Sequence, residues 1–217
     1  MARLRRSRTP SAPPQPFPPA PSAPPPVPRT ALRALPALLT VAVSCAALLA
    51  ACSPPLADDR TTATRLLHDV RVVRERVTVT GYDRSRFGGW SSVGPRTTRE
   101  VVLDEWAGAD PYTGEALVPD GVDIDHVYPL AAAWDFGAHA WTPSQRRGFA
   151  NDVARNLVPT ASAVNRAKSD ATPAEWLPAP RDLRCPYAVR YLEAAVAWEL
   201  PVSVADWEAM ADACGLG

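Results

Sequence analysis

The sequence predicts an α+β fold in which strands and helices are segregated along the chain. Three observations carry that expectation. Residues 70–79 and 122–130 show the β-branched or alternating apolar pattern of extended structure. From Thr142 onward, residues suited to capping repeatedly precede apolar residues at helical spacing. Roughly the first fifty of the 217 residues have a composition unlike the rest and stand outside that fold.

The excluded part has two pieces. Across residues 1–28, Pro, Ala and Ser dominate and too little apolar surface is available to offset the entropy of ordering, so a disordered preface is expected. Residues 29–52 follow as a basic flank with Arg29 and Arg33, an uncharged apolar run, and the ending Leu49-Ala50-Ala51-Cys52. These are the parts of an export signal. The ending resembles the bacterial lipobox, which implies acylation of Cys52 and attachment to the cell membrane through an N-terminal lipid. An uncleaved anchor or a freely secreted form is the competing reading, since the run approaches the roughly 17 to 25 residues that cross a bilayer. Residues 53–60 read as a tether, which leaves 61–217 as the domain.

Within that domain, residues 61–68 begin a helix, with Leu66 and Leu67 after a Thr-rich start. The valines of 70–79 run extended to Gly81, and 82–95, rich in Gly, Ser and Arg, reads as a loop. Residues 98–107 place Val101, Val102, Leu103 and Trp106 at helical spacing, and Asp110-Pro111-Tyr112-Thr113-Gly114 is a turn. In 122–130 the alternation predicts a strand with Val122 and Ile124 inward and Asp123 and Asp125 outward. Thr142-Pro143-Ser144-Gln145 has a cap, a proline at the first helical position and a Gln that closes a capping box. Thr160 is expected to cap a helix running to Lys168, and Thr172-Pro173-Ala174-Glu175 repeats the capping pattern. Residues 186–200 form the clearest amphipathic helix, ended by Pro201, and Ser203 opens a last one reaching Cys214.

Past Cys52 the chain carries seventeen Arg and Lys against twenty-three Asp and Glu. That acidic balance excludes a generic polyanion binder held by overall field, so contact with nucleic acid requires a local patch. Arg146, Arg147, Arg155, Arg166 and Lys168 are the candidates. Cys185 and Cys214 remain after the signal, and in an exported protein they are expected to pair as a disulfide. No Cys-x-x-Cys pair with a nearby histidine offers a zinc site.

The chemistry concentrates in Asp123-Ile124-Asp125-His126, then Asn156, then Asn165-Arg166-Ala167-Lys168-Ser169-Asp170. Asn151, Asn156 and Asn165 are the chain's only asparagines, and Lys168 is its only lysine amid twenty-two arginines. Cleaving a phosphodiester needs an activated water, a cation for the developing charge, and an orienting frame. His126 is the candidate base, since an imidazole accepts a proton near neutral pH. Asp125 and Asn165 are hard oxygen donors suited to one divalent metal, Mg²⁺ or Mn²⁺. Asn156 is expected to bring its amide oxygen to a ring nitrogen of His126, and Lys168 to bind a phosphate. Adjacent strand residues point to opposite faces, so Asp125 and His126 can share a site only at the strand's end or a twist.

Asp-x-Asp-His, Asn-Leu and Asn-Arg-x-Lys-Ser-Asp together resemble the HNH (ββα-metal, His-Me finger) nucleases. The wider span is similar to exported actinobacterial HNH proteins that share the C-terminal domain of GmrSD-type restriction endonucleases. Gly81-Tyr82-Asp83-Arg84, Asp110-Pro111-Tyr112-Thr113-Gly114, Ala150-Asn151-Asp152, Pro173-Ala174-Glu175-Trp176-Leu177-Pro178 and Arg184-Cys185-Pro186-Tyr187 carry that likeness. The resemblance implies a ββα-metal core elaborated with extra helices. It assigns His126 as base, Asp125 and Asn165 as ligands of one metal, and Asn156 as the asparagine that positions the histidine. The chain departs from the pattern in lacking a cysteine near Thr97 and a lysine near Ala195.

The function expected is therefore a metal-dependent DNA endonuclease, extracytoplasmic, lipid-anchored or secreted, and monomeric. Its catalytic residues would be His126, Asn156 and Lys168, and Arg155, Arg166 and Lys168 would hold nucleic acid, DNA ahead of RNA. The alternative is a catalytically silent envelope lipoprotein that keeps the fold as a binding module.

Overall fold

A computed structural model describes residues 57–217 apart from Ala107. The expected preface, the signal with Cys52, and tether residues 53–56 lie outside the described residues. Among the described residues no helix is long and apolar enough to cross a membrane. The fold is α+β. In chain order it runs α1 (Ala57–Asp69), β1 (Val72–Val73), β2 (Ser92–Val93), β3 (Arg96–Thr97), α2 (Thr98–Glu105), β4 (Val122–His126) and α3 (Leu130–Asp135). It continues with α4 (Pro143–Ala150), β5 (Leu157–Ala161), α5 (Ser162–Lys168), α6 (Arg184–Ala197), β6 (Val202–Ser203) and α7 (Val204–Ala213).

The largest apolar cluster lies where α1, α6 and α7 meet the aromatic residues of the 128–149 segment. Helix α1 starts at Ala57, so the last residues expected to be tether are helical. It buries Ala63, Leu66, Leu67 and Val70, the one-face spacing of an amphipathic helix. Helix α6 supplies Tyr187, Ala188, Tyr191, Leu192 and Ala195. Tyr191 stacks on Tyr128 at 4.5 Å, and the Tyr128 hydroxyl donates to the Pro201 carbonyl at 2.7 Å. Trp176, Trp198 and Trp207 pack against this core. The expected disulfide joins Cys185 at the start of α6 to Cys214 just after α7.

Several helix starts follow the predicted capping chemistry. Thr142 and Gln145 form a full capping box on α4, with Pro143 in its first turn. Ser203 and Asp206 do the same for α7, and Thr97 with Glu100 for α2. Three expectations need correction. Helix α2 stops at Glu105, and Trp106 turns extended with its indole donating to Ala109 O at 3.1 Å. Thr172 and Glu175 make the capping-box contact, yet only a turn follows it. Thr160 caps nothing: it belongs to β5, and its hydroxyl donates to the buried Asp110 carboxylate, the nearer oxygen at 2.9 Å.

Strands β4 and β5 pair antiparallel, with His126 opposite Leu157, Asp125 opposite Val158, and Val122 opposite Ala161. Helix α5 follows β5 directly, so the candidate residues of β4 and α5 are carried on one local module. Only two residues of the valine-rich 70–79 stretch form a strand, β1, paired parallel with β6. The segment expected as loop, 82–95, contains β2 and the turn at Gly94, φ 63°, that leads into its hairpin partner β3.

Candidate functional site

Asp125 and His126 end β4, and both line one cleft of about 530 Å³. Tyr82, Arg84, Asn165, Arg166 and Asp170 line it too. The geometric demand made by the alternation rule is met because His126 is the strand's last residue, where the chain turns away toward Tyr128. Asp125 does not face outward as the alternation suggested. It is 5% exposed, and its Oδ2 accepts the Tyr112 hydroxyl at 2.6 Å and the Lys168 ammonium at 2.8 Å. The inward turn is tolerated because a buried carboxylate needs an opposite charge and hydrogen bonds, and both are there. Burial pushes its pKa up, and Lys168 and the Tyr112 bond pull it partway back.

Lys168 departs furthest from expectation. It is fully buried, and its Nζ also donates to the His126 carbonyl at 3.0 Å. A side chain so enclosed touches no phosphate; it joins the Asp125 carboxylate to the His126 backbone. Asn156 is also fully buried but does not reach the imidazole. Its Oδ1 accepts Tyr128 N–H at 2.8 Å, its Nδ2 donates to Tyr128 O at 3.3 Å, and its backbone carbonyl accepts Val127 N–H at 2.9 Å. Asn156 therefore fixes the main chain that leaves His126, and acts on the ring only through that backbone.

The imidazole itself is 6% exposed, and its Nε2 lies 2.9 Å from Ala150 O. A carbonyl only accepts, so the proton of the neutral ring sits on Nε2 and the lone pair on Nδ1. Burial lowers the imidazole pKa to about 3, with Arg84 and Lys168 adding to the shift and the Ala150 bond opposing it. Beside it, the Trp90 indole lies parallel to the ring, interplanar angle 1° and centroids 6.0 Å apart.

Asn165 lies on α5, and its Nδ2 donates to Asp123 Oδ2 at 3.3 Å. That orientation follows from chemistry, since a carboxylate accepts only and must take the amide's N–H. The Asn165 Oδ1 is thus left as an acceptor, and Asn165 and Asp125 line the same cleft. Among the described residues no group of three or more His, Cys, Asp or Glu side chains is gathered for a metal.

The basic patch read from the sequence is dispersed. Arg146 is buried and donates to the carbonyls of Arg86, Ala138 and Trp141. Arg155 pairs with Asp152 at 3.5 Å and lines a different groove beside Glu193. Of the predicted cations only Arg166 lines the cleft, joined there by Arg84. Sequence reasoning missed Arg84, Trp90 and Tyr112 as site residues. Arg84 and Tyr112 stood in quoted motifs, whereas Trp90, in a Gly-Ser loop, carried no periodic signal. A larger cleft of about 760 Å³ opens elsewhere among Leu103, Trp106, Leu117, Val122 and Pro159; it has no titratable group in its lining.

Residues 90–213 match the family described as GmrSD restriction endonucleases, C-terminal domain. The chain is also 33% identical over 178 residues to an uncharacterized secreted protein of Arthroderma benhamiae, an alignment covering 73% of this chain and 86% of that protein. No solved structure matches.

Proposed function

The chain belongs to the family of the C-terminal domain of GmrSD restriction endonucleases, and from that premise we propose that it is an HNH-type, metal-dependent endonuclease hydrolysing DNA outside the cytoplasm. The observation that carries the reading is the commitment of His126 Nε2 to Ala150 O. It leaves Nδ1 as the proton acceptor in a cleft that also holds Asp125 and Asn165. The low imidazole pKa keeps the ring neutral, and a phosphodiester's negative charge beside it raises the affinity for a proton when substrate binds. His126 then takes the proton of the attacking water. Arg84 and Arg166, both on the cleft wall, hold the substrate's phosphates.

The donors fit one Mg²⁺ or Mn²⁺: the Asp125 carboxylate and Asn165 Oδ1 are hard oxygens that would hold such a cation. Such a cation supplies charge stabilisation at the phosphoryl and leaving oxygens. Lys168 and Tyr112 hold the Asp125 carboxylate, and Asn156 holds the chain that carries His126. The secreted description of the Arthroderma relative and the export signal support an extracytoplasmic place, with lipid at Cys52 as the tether. The test is cleavage of native and heat-denatured plasmid by the full-length protein with Mg²⁺ or Mn²⁺. His126→Ala is expected to lower the rate by about 10² to 10⁴-fold, and EDTA to stop it. Equal rates in the variant would remove His126 as the base.

A further inference from the structure

The His126 cleft adjoins a smaller recess of about 100 Å³, and the two share Arg84, His126 and Leu130 in their linings. Trp90 also lines that recess. Its ring is parallel to the imidazole with centroids 6.0 Å apart, wider than the closest aromatic stacking. The indole is 36% exposed and belongs to neither apolar cluster. Core packing therefore does not account for it.

The loop that carries Trp90 is nevertheless fastened on both sides by one amide. Asn151 Oδ1 accepts Ser91 N–H at 2.8 Å, and Asn151 Nδ2 donates to Gly89 O at 3.3 Å. One of the chain's three asparagines is thus spent holding an exposed aromatic ring in place next to the candidate base. A pre-set planar face beside an Arg-lined cleft suits a planar ligand, because stacking needs no particular hydrogen-bond pattern. A nucleotide whose phosphate lies at His126 carries its base one sugar further on, at about the place where Trp90 stands.

We propose that Trp90 is the stacking platform for the nucleobase next to the cleaved phosphate, so that the substrate presents an unpaired base there and single-stranded nucleic acid is preferred over duplex. In a duplex both faces of that base are already stacked, and freeing it costs a few kcal/mol. The inference rests on the nuclease reading above and sharpens its substrate class.

The test is fluorescence anisotropy of a labelled single-stranded oligonucleotide and of its duplex with the full-length protein, in EDTA so that nothing is cleaved. Wild type is expected to bind the single strand more tightly. Trp90→Ala should weaken single-strand binding about tenfold and leave duplex binding unchanged, and Trp90→Phe should restore most of the loss. Undiminished single-strand binding by Trp90→Ala, or an equal loss on both substrates, overturns the platform and leaves the nuclease reading standing. If wild type binds neither substrate, the platform falls, while the nuclease reading is judged by the plasmid cleavage assay.

Discussion

The β4–β5–α5 module and the layer of α1, α6 and α7 face the same problem of leaving water and meet it with opposite chemistry. The helical layer buries Leu66, Leu67, Tyr191, Leu192 and Met210, and a disulfide closes it. The module, with Asn156 just ahead of β5, buries Asp125, His126 and Lys168, and gives each at least one hydrogen-bond partner. Apolar packing tolerates adjustment among neighbours, whereas a buried ion pair fails when one partner goes. Stability and site geometry are therefore separable in the helices and inseparable in the module.

Lys168→Met tests the inseparable side most severely. It strands the Asp125 carboxylate without its cation, and a loss of about 3–5 kcal/mol in urea unfolding is expected, together with loss of cleavage. Retained stability would show that Asp125 is neutral in the fold. The helical layer offers the contrast: replacing Cys185 and Cys214 together by Ser should cost about 2–5 kcal/mol, with cleavage at permissive temperature kept. If activity fell in proportion, the two regions would not be separable after all.

Tyr112→Phe makes a finer cut within the module. It removes one of the two donors on Asp125 Oδ2 while keeping the ring that packs edge-on against Trp176 and Tyr187. Mn²⁺ affinity read by calorimetry should weaken about tenfold, with little change in unfolding temperature. The smallest effect is on pH. Because burial lowers the His126 pKa, its contribution to stability is complete above the unfolded value and declines as pH falls toward the folded one. Wild type should lose about 1 kcal/mol over the unit below pH 6.5 in excess of His126→Gln, measured by denaturant unfolding in parallel.

The same contrast governs how much could be read from the sequence. Helices α4, α6 and α7 were legible because capping residues and apolar spacing are local, and the same holds for the α+β class and the Cys185–Cys214 disulfide. The His126, Asp125 and Asn165 positions were legible as a cluster of chemistry-bearing residues. What stayed hidden depends on partners far along the chain. Asp125 turns inward because Tyr112 and Lys168 answer it, thirteen residues before and forty-three after. Thr160 enters a strand because Asp110 takes its hydroxyl, fifty residues away. Arginine counting implied a patch, but burial withdrew Arg146 and an ion pair occupied Arg155.

Lys168 is the only lysine in the chain, and it is enclosed with its ammonium bound on two sides. Its amine is out of reach of acylating dyes, aldehyde fixatives and immobilising resins while the fold is intact, so none of them can take hold through a lysine. The chain thereby carries its own reporter of opening: acylation at that one nitrogen, followed by mass spectrometry of the peptide, marks each molecule in which the floor of the site has come apart.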